Sequence, residues 1–192
     1  APMGVGKTEA ALMAAEILAA RFGCGGIFLG LPTMATANPM FDRTLDWLGT
    51  ALGDADASVA LAHGKAGLND HYTGLPRSWF SQVYDDEDPR AGRAVVNNWL
   101  QGRKRAGLAS FVVGTIDQGL FVALKAKHLA LRHLALAGKV VIVDEAHAAD
   151  AYMRHYLRRL LGWLGAYRTP VILMSATLPP DQRDEYVTAY AE

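Results

Sequence analysis

The chain has 192 residues, with 19 Lys plus Arg against 19 Asp plus Glu and a formal charge of zero. Apolar residues make up 51% and charged residues 20%, which excludes a disordered chain, a collagenous chain and a disulfide-stapled mini-protein. Because charge balances overall, any basic surface for nucleic acid has to be local.

Helical spacing of Ala11, Leu12, Ala15, Leu18, Ala19 and Phe22 predicts a helix over Thr8–Phe22, broken by Gly23-Cys24-Gly25-Gly26. Ile27–Leu31 is a short apolar run stopped by Pro32 and reads as a buried strand. A second helix is expected from about Thr36 to Leu52, kinked or delayed at Pro39, followed by a strand over Ser58–Ala62. Residues 64–93 contain six Gly and Pro positions and the acidic run Asp85-Asp86-Glu87-Asp88, the pattern of an inserted mobile surface loop. Val95–Leu108 is expected to be helical, with Val96, Trp99, Leu100 and Arg103 at suitable offsets. Then come a strand over Phe111–Gly114, a helix over Ile116–Leu124 and an aliphatic strand over Val140–Val143. A long helix over Ala149–Leu164, a strand over Val171–Met174 and a last helix from Pro180 complete the pattern. Strands apolar on both faces, separated by helices, define an α/β fold with a mostly parallel sheet covered on both sides.

Cys24 is the single cysteine, so no disulfide forms within the chain and a reducing, cytoplasmic setting is expected. No apolar run reaches the ~20 residues of a membrane span. The chain starts at Ala1 without a basic-then-apolar leader, which is expected of a fragment.

Three segments carry chemistry. Ala1-Pro2-Met3-Gly4-Val5-Gly6-Lys7-Thr8 matches the phosphate-loop pattern, with Ala1 at the leading Gly position. Gly4 and Gly6 permit a tight turn that aims backbone N–H groups, including that of Val5, at phosphate oxygens. The helix beginning near Thr8 adds its positive end. Lys7 supplies a mobile charge for the outer phosphates, and the Thr8 hydroxyl is a ligand for Mg2+. A phosphate loop follows a strand, so an N-terminal sheet strand is expected to be missing from the chain as given. The second segment is an aliphatic strand ending in Asp144-Glu145-Ala146-His147. At the C-terminal edge of a parallel sheet, Asp144 is placed to hold Mg2+ and Glu145 to orient and deprotonate a water. The third is Ser175-Ala176-Thr177, whose hydroxyls either bond the acidic segment or cap the next helix.

Together these segments resemble motifs I, II and III of a superfamily-2 helicase of the DEAH type. Leu31-Pro32-Thr33-Met34-Ala35-Thr36-Ala37-Asn38, Gly102-Arg103-Lys104-Arg105 and Val113-Gly114-Thr115-Ile116-Asp117-Gln118 narrow the resemblance to the CRISPR-associated helicase-nuclease of type I systems. So does the continuation of motif II through Ala148-Ala149-Asp150-Ala151-Tyr152-Met153. The resemblance implies the first RecA-like lobe of an ATP-driven motor on single-stranded DNA. It implies ATP and Mg2+ as cofactors and recruitment by the Cascade surveillance complex. A second RecA-like lobe and a histidine-aspartate (HD) nuclease domain would belong to the parent chain.

By the same resemblance, His147, Ser175 and Thr177 couple the ATP site to the DNA face, and Thr33 and Thr115 contact DNA phosphates. For each threonine an ordinary turn or cap is the alternative. Arg103, Lys104 and Arg105 either touch DNA or form a solvated helix face. Trp47, Trp79, Trp99 and Trp163 are expected to pack rather than stack on bases. The six histidines, His63, His71, His128, His133, His147 and His155, form no His-Asp pair and are expected to be scattered. Competing readings are a DEAH-type RNA helicase, a DNA-repair translocase, and a non-hydrolysing nucleotide-binding module. Without the arginine residues of a second lobe, the isolated chain is expected to be nearly inactive, by about 10³–10⁵ in rate.

Overall fold

The computed structural model describes residues 6–51, 57–75, 77–78, 94–97, 100, 105–124, 127–148 and 151–192. Its helices are α1 (Lys7–Phe22), α2 (Met34–Ala51), α3 (Asp70–Gly74), α4 (Ile116–Leu120), α5 (Leu129–Ala137), α6 (Ala151–Ala166) and α7 (Pro180–Ala191). The strands are β1 (Ile27–Leu31), β2 (Ala57–Ala62), β3 (Arg77–Ser78), β4 (Ala94–Asn97), β5 (Phe111–Thr115), β6 (Val140–Val143) and β7 (Val171–Leu173). They form one sheet in the order β3-β4-β2-β5-β1-β6-β7, and every pairing is parallel.

The period-2 alternation of side chains divides the core between the two faces. Ile27, Leu29 and Leu31 of β1, with Val140 and Ile142 of β6, pack under Ala11, Leu12 and Ala15 of α1 and Met40, Phe41 and Leu48 of α2. Phe28, Val141 and Val143 face the other way, onto Ile116 and Leu120 of α4, Leu157, Leu160, Leu161 and Leu164 of α6 and Tyr186 of α7. Strands β1 and β6 are thus apolar on both sides because helices cover both sides.

Among the described residues, β7 pairs on one side only. Pro170 O accepts from Val141 and Met174 N donates to Val143 O. Alternate residues turn their main-chain groups to opposite edges, so Val171 and Leu173 direct theirs to the open side. Leu18 and Phe22 of α1 and Tyr186, Val187 and Tyr190 of α7 line an apolar groove along that edge.

Three expectations are corrected. Residues 64–78 are not one loop: a 3-10 turn at Ala66–Leu68, helix α3 and strand β3 lie there. Asn69 Oδ1 caps α3 by accepting from Tyr72 N, and the Tyr72 ring meets Phe41 of α2 edge-on at 5.5 Å. Residues 79–93, with the acidic run, lie outside the described residues. Of the helix expected over Val95–Leu108, residues 98–99 and 101–104 lie outside the described residues, and its start is instead strand β4, pairing Ala57 with Ala94 and Ser58 with Val95, and its end a 3-10 turn at Ala106–Leu108. A β-branched pair at Val95-Val96 suits a strand, and pairing with β2 overrides helix-spaced apolar positions further on. The helix at Ile116 ends at Leu120 and tightens into a 3-10 turn at Phe121–Ala123. Helix α5 was not expected from the sequence at all.

Of the tryptophans, Trp47 packs edge-on against Phe111 at 6.1 Å and Trp163 against His133 at 4.8 Å; Trp79 and Trp99 lie outside the described residues, as do Arg103 and Lys104. No helix among the described residues is long and apolar enough to cross a membrane.

Candidate nucleotide-binding site and nucleic-acid face

Parallel pairing brings the C-terminal ends of β2, β5, β1, β6 and β7 to one edge of the sheet. The chemistry-bearing segments follow those ends: His63 after β2, Thr115 closing β5, Thr33 after β1, Asp144-Glu145 after β6 and Ser175 after β7.

Gly6 caps α1 at φ +67°, in the left-handed region that a side chain disfavours, and Ala10 N closes the first turn onto Gly6 O. Gly4 and Val5 lie outside the described residues. Lys7 and Thr8 open α1, so both side chains start at the helix's positive end. Lys7 Nζ is 3.9 Å from Glu145 Oε1 and is buried with no hydrogen-bond partner among the described residues.

The end of β6 is pinned on both sides. Asp144 N donates to Gly30 O of β1 at 2.9 Å, and Ala146 N donates to Met174 O beyond β7 at 2.9 Å. Between these anchors Glu145 takes φ +52°, a left-handed value rare for a residue with a side chain. This turns its carboxylate toward Lys7. Burial pushes the Asp144 carboxyl above its ordinary range, opposed by the Glu145 N–H that donates to Asp144 Oδ1 at 2.8 Å.

His147 joins this group to the segment after β7. Its Nδ1 is 3.0 Å from Glu145 Oε2 and 3.1 Å from Ser175 Oγ. Ser175 Oγ donates its one proton to Thr177 O at 2.8 Å, so toward His147 it accepts. The carboxylate also accepts, and Nδ1–H is therefore a donor shared between Glu145 and Ser175. The structure brings Lys7, Asp144, Glu145, His147 and Ser175 into one cluster, with Thr177 held through its carbonyl.

The two predicted DNA-contacting threonines belong to neighbouring strand ends and hydrogen-bond to none of that cluster among the described residues: Thr115 closes β5 opposite Leu31, and Thr33 follows Leu31 by two residues. Thr33 is exposed and closes a reciprocal pair with Thr36. Thr36 N donates to Thr33 Oγ1 at 3.2 Å and Thr36 Oγ1 donates to Thr33 O at 2.9 Å. Thr115 is only 8% exposed and precedes α4 without a side-chain cap bond. A residue that sequence reasoning passed over, His63, is equally buried beside them at 8% exposed.

Two observations bear on a nucleotide with its metal. Lys7 Nζ is buried and, among the described residues, makes no hydrogen bond, which a phosphate oxygen would supply, and the raised Asp144 carboxyl is a half-buried acid that a cation would stabilise. Among the described residues no group of three or more His, Cys, Asp or Glu side chains could hold a metal ion alone. One or two carboxylates plus phosphate oxygens is the donor set Mg2+ takes in nucleotide sites, so the residues fit Mg2+ bound together with a nucleotide.

A parallel α/β lobe whose first helix opens with Gly6-Lys7-Thr8, Lys7 facing an acidic strand end, has the arrangement of a P-loop NTPase lobe. The model of the DEAD/DEAH box helicase family matches residues 1–185, and the chain belongs to that family. It is 49% identical over 192 residues to the CRISPR-associated nuclease/helicase Cas3 of Streptococcus thermophilus, a match covering 99% of this chain and 20% of the relative. Its fold matches the crystal structure of T. fusca Cas3-AMPPNP with TM-score 0.85 and 45% identity, over 99% of this chain and 20% of that one. It also matches a chain of a structure described as a CRISPR RNA-guided surveillance complex, pre-nicking. There the TM-score is 0.68 and the identity 40%, over 99% of this chain and 17% of that one. The lobe is therefore RecA-like. The chain spans about a fifth of the length of the curated relatives it matches.

Proposed function

We propose that the chain is the first motor lobe of a CRISPR interference helicase-nuclease, binding and hydrolysing ATP with Mg2+ to move along and unwind invader single-stranded DNA. The observation that carries this is the convergence of Lys7, at the start of α1, with the Asp144-Glu145 pair at the end of β6.

In this reading Gly4, Val5 and Gly6 present main-chain N–H groups to phosphate oxygens, and Lys7 holds the outer phosphates. Thr8 and Asp144 would be the ligands of Mg2+, which when bound neutralises charge on the phosphates. Glu145 orients the attacking water and accepts its proton on a carboxylate oxygen, while Lys7 keeps the departing charge in place. His147 holds the Glu145 carboxylate and passes its position to Ser175 and Thr177, toward a second lobe. Thr33 meets the strand's phosphates at the exposed rim, with Thr115 beside it; such contacts grip a single strand without reading bases. The Cas3 relatives and the surveillance-complex neighbour support Cascade as the recruiting partner, and an HD nuclease domain and a second RecA-like lobe in the parent chain. Antiviral defence in the cytoplasm follows from that role.

The test is steady-state ATP hydrolysis by the complete parent protein without nucleic acid, with single-stranded RNA and with single-stranded DNA, using Lys7→Ala as control. Stimulation by DNA alone, abolished in the variant, is expected. Equal or greater stimulation by RNA would instead make the chain an RNA helicase lobe. ATP binding without hydrolysis under any condition would make it a nucleotide-binding module.

A further inference from the structure

His63 is a buried titratable side chain that hydrolysis does not use. It follows β2 directly, and Ala62 pairs with Gly114, so His63 stands level with Thr115. The two strands approach closely there: a Cβ on Gly114 would lie 2.4 Å from the Ala62 carbonyl oxygen. Both ring nitrogens are engaged. Nδ1 accepts from Lys65 N at 3.2 Å, so a neutral ring carries its proton on Nε2. Nε2 then donates to Asn38 Oδ1 at 2.9 Å. Burial lowers the imidazole pKa, which favours that neutral ring.

Asn38 lies on α2, two residues beyond Thr36 and next to Pro39, which is inside the helix. Proline has no N–H to donate to the carbonyl four residues back, so the opening of α2 lacks one of its own bonds where Asn38 sits. The His63 ring supplies an anchor from outside, tying the end of β2 to the segment that carries Thr33 and Thr36.

We propose that His63 is a positioning residue for nucleic-acid binding. Its Nε2–H bond to Asn38 fixes the Thr33–Asn38 segment in the arrangement that meets the phosphates of a single strand, without His63 touching the strand itself. This rests on the single-strand reading given above. An aliphatic side chain would fill the same space but join nothing.

The experiment measures binding of fluorescein-labelled single-stranded DNA to the full parent protein by anisotropy, and hydrolysis titrated with the same DNA. The variants are His63→Ala, Asn38→Ala, the double variant and His63→Gln, whose amide N–H can still donate. Each alanine variant is expected to raise the half-saturating DNA concentration about tenfold, the scale of one buried hydrogen bond. The double variant should be no worse than either, and His63→Gln should recover most of the loss. The rate at saturating DNA should stay within about twofold of wild type.

Unchanged DNA affinity with a lowered melting temperature would overturn the proposal in favour of a purely structural tie. Losses that multiply in the double variant would also overturn it. If His63→Ala does not fold, Asn38→Ala and His63→Gln decide. Wild-type protein that binds RNA tightly and DNA poorly would remove the DNA reading instead, and the same variants titrated with RNA would then decide the role of His63.

Discussion

Lys7 Nζ lies 3.9 Å from Glu145 Oε1, within attraction but beyond hydrogen-bond distance. The gap matters because the lysine has no hydrogen-bond partner among the described residues, whereas Glu145 is held from its other side by His147. The lysine is therefore the less constrained of the two, and in the proposed function it is the group that turns toward phosphate while the carboxylate stays in place.

Glu145→Gln separates the two roles. The amide oxygen still accepts from His147, which leaves the amide NH2 toward Lys7 and removes that ion pair. Nucleotide binding should persist, while single-turnover hydrolysis by the parent protein falls about 10²–10⁴-fold, the range for removing a general base. Fluorescent-nucleotide titration beside quenched-flow hydrolysis would check both halves. Equal loss of binding and hydrolysis would contradict the assignment of Glu145 as base.

Ser175→Ala removes the acceptor that shares His147 Nδ1–H and the donor to Thr177 O. The catalytic carboxylate keeps its histidine, so ATP turnover should survive while strand displacement falls disproportionately. A ratio of base pairs unwound per ATP, measured for both proteins, reads this out. A proportional fall in both activities would show that Ser175 serves hydrolysis and not coupling.

Gly6→Ala places a side chain at φ +67°. Space is not the obstacle, since the nearest atom to such a Cβ is Glu9 Oε2 at 3.8 Å. Backbone conformation is: the left-handed region costs a non-glycine residue about 1–2 kcal/mol. Relaxing that strain moves the loop, so ATP affinity should fall about 5- to 30-fold with little change in melting temperature, as isothermal titration would show.

Lys139 predicts a pH effect on stability. It is 6% exposed, and its Nζ donates to Gly107 O at 2.7 Å and Ala135 O at 2.5 Å. Burial lowers its pKa from 10.5 to about 8. Between those values the unfolded chain binds more protons than the folded one, so this group's contribution to stability rises with pH across that window. Wild type should gain melting temperature relative to Lys139→Met as pH goes from 8 to 10, and the difference should be flat below 8. A difference that shrinks across that range would reverse the sign and refute the argument.

Much of the scaffold was legible because it depends on local sequence. Ile27–Leu31 and Val140–Val143 are closed apolar runs bounded by Gly, Pro or acidic residues, and no neighbour could shift them. The placement of Lys7-Thr8 at a helix start and of Asp144-Glu145 at a strand end was legible for the same reason: each is set by adjacent backbone. What was missed depends on distant partners. Strand β4 exists because β2 offers it an edge. Leu129–Ala137 is only nine residues long, too short for its apolar spacing to stand out, and Gly138 at its end was the one usable sign. His63 acquires its role from an oxygen 25 residues away and from burial that only the assembled sheet provides.

Among the described residues one margin of β7 is unpaired, and this has a practical consequence wherever nothing else covers it. Val171 and Leu173 hold out main-chain donors and acceptors beside an apolar trough between α1 and α7. An edge of that kind is a template for any extended segment that reaches it. Preparations of this lobe on its own would therefore be governed by concentration, staying dispersed when dilute and adding strands across copies when crowded. Covering that margin would do more for handling than any substitution in the well-packed interior.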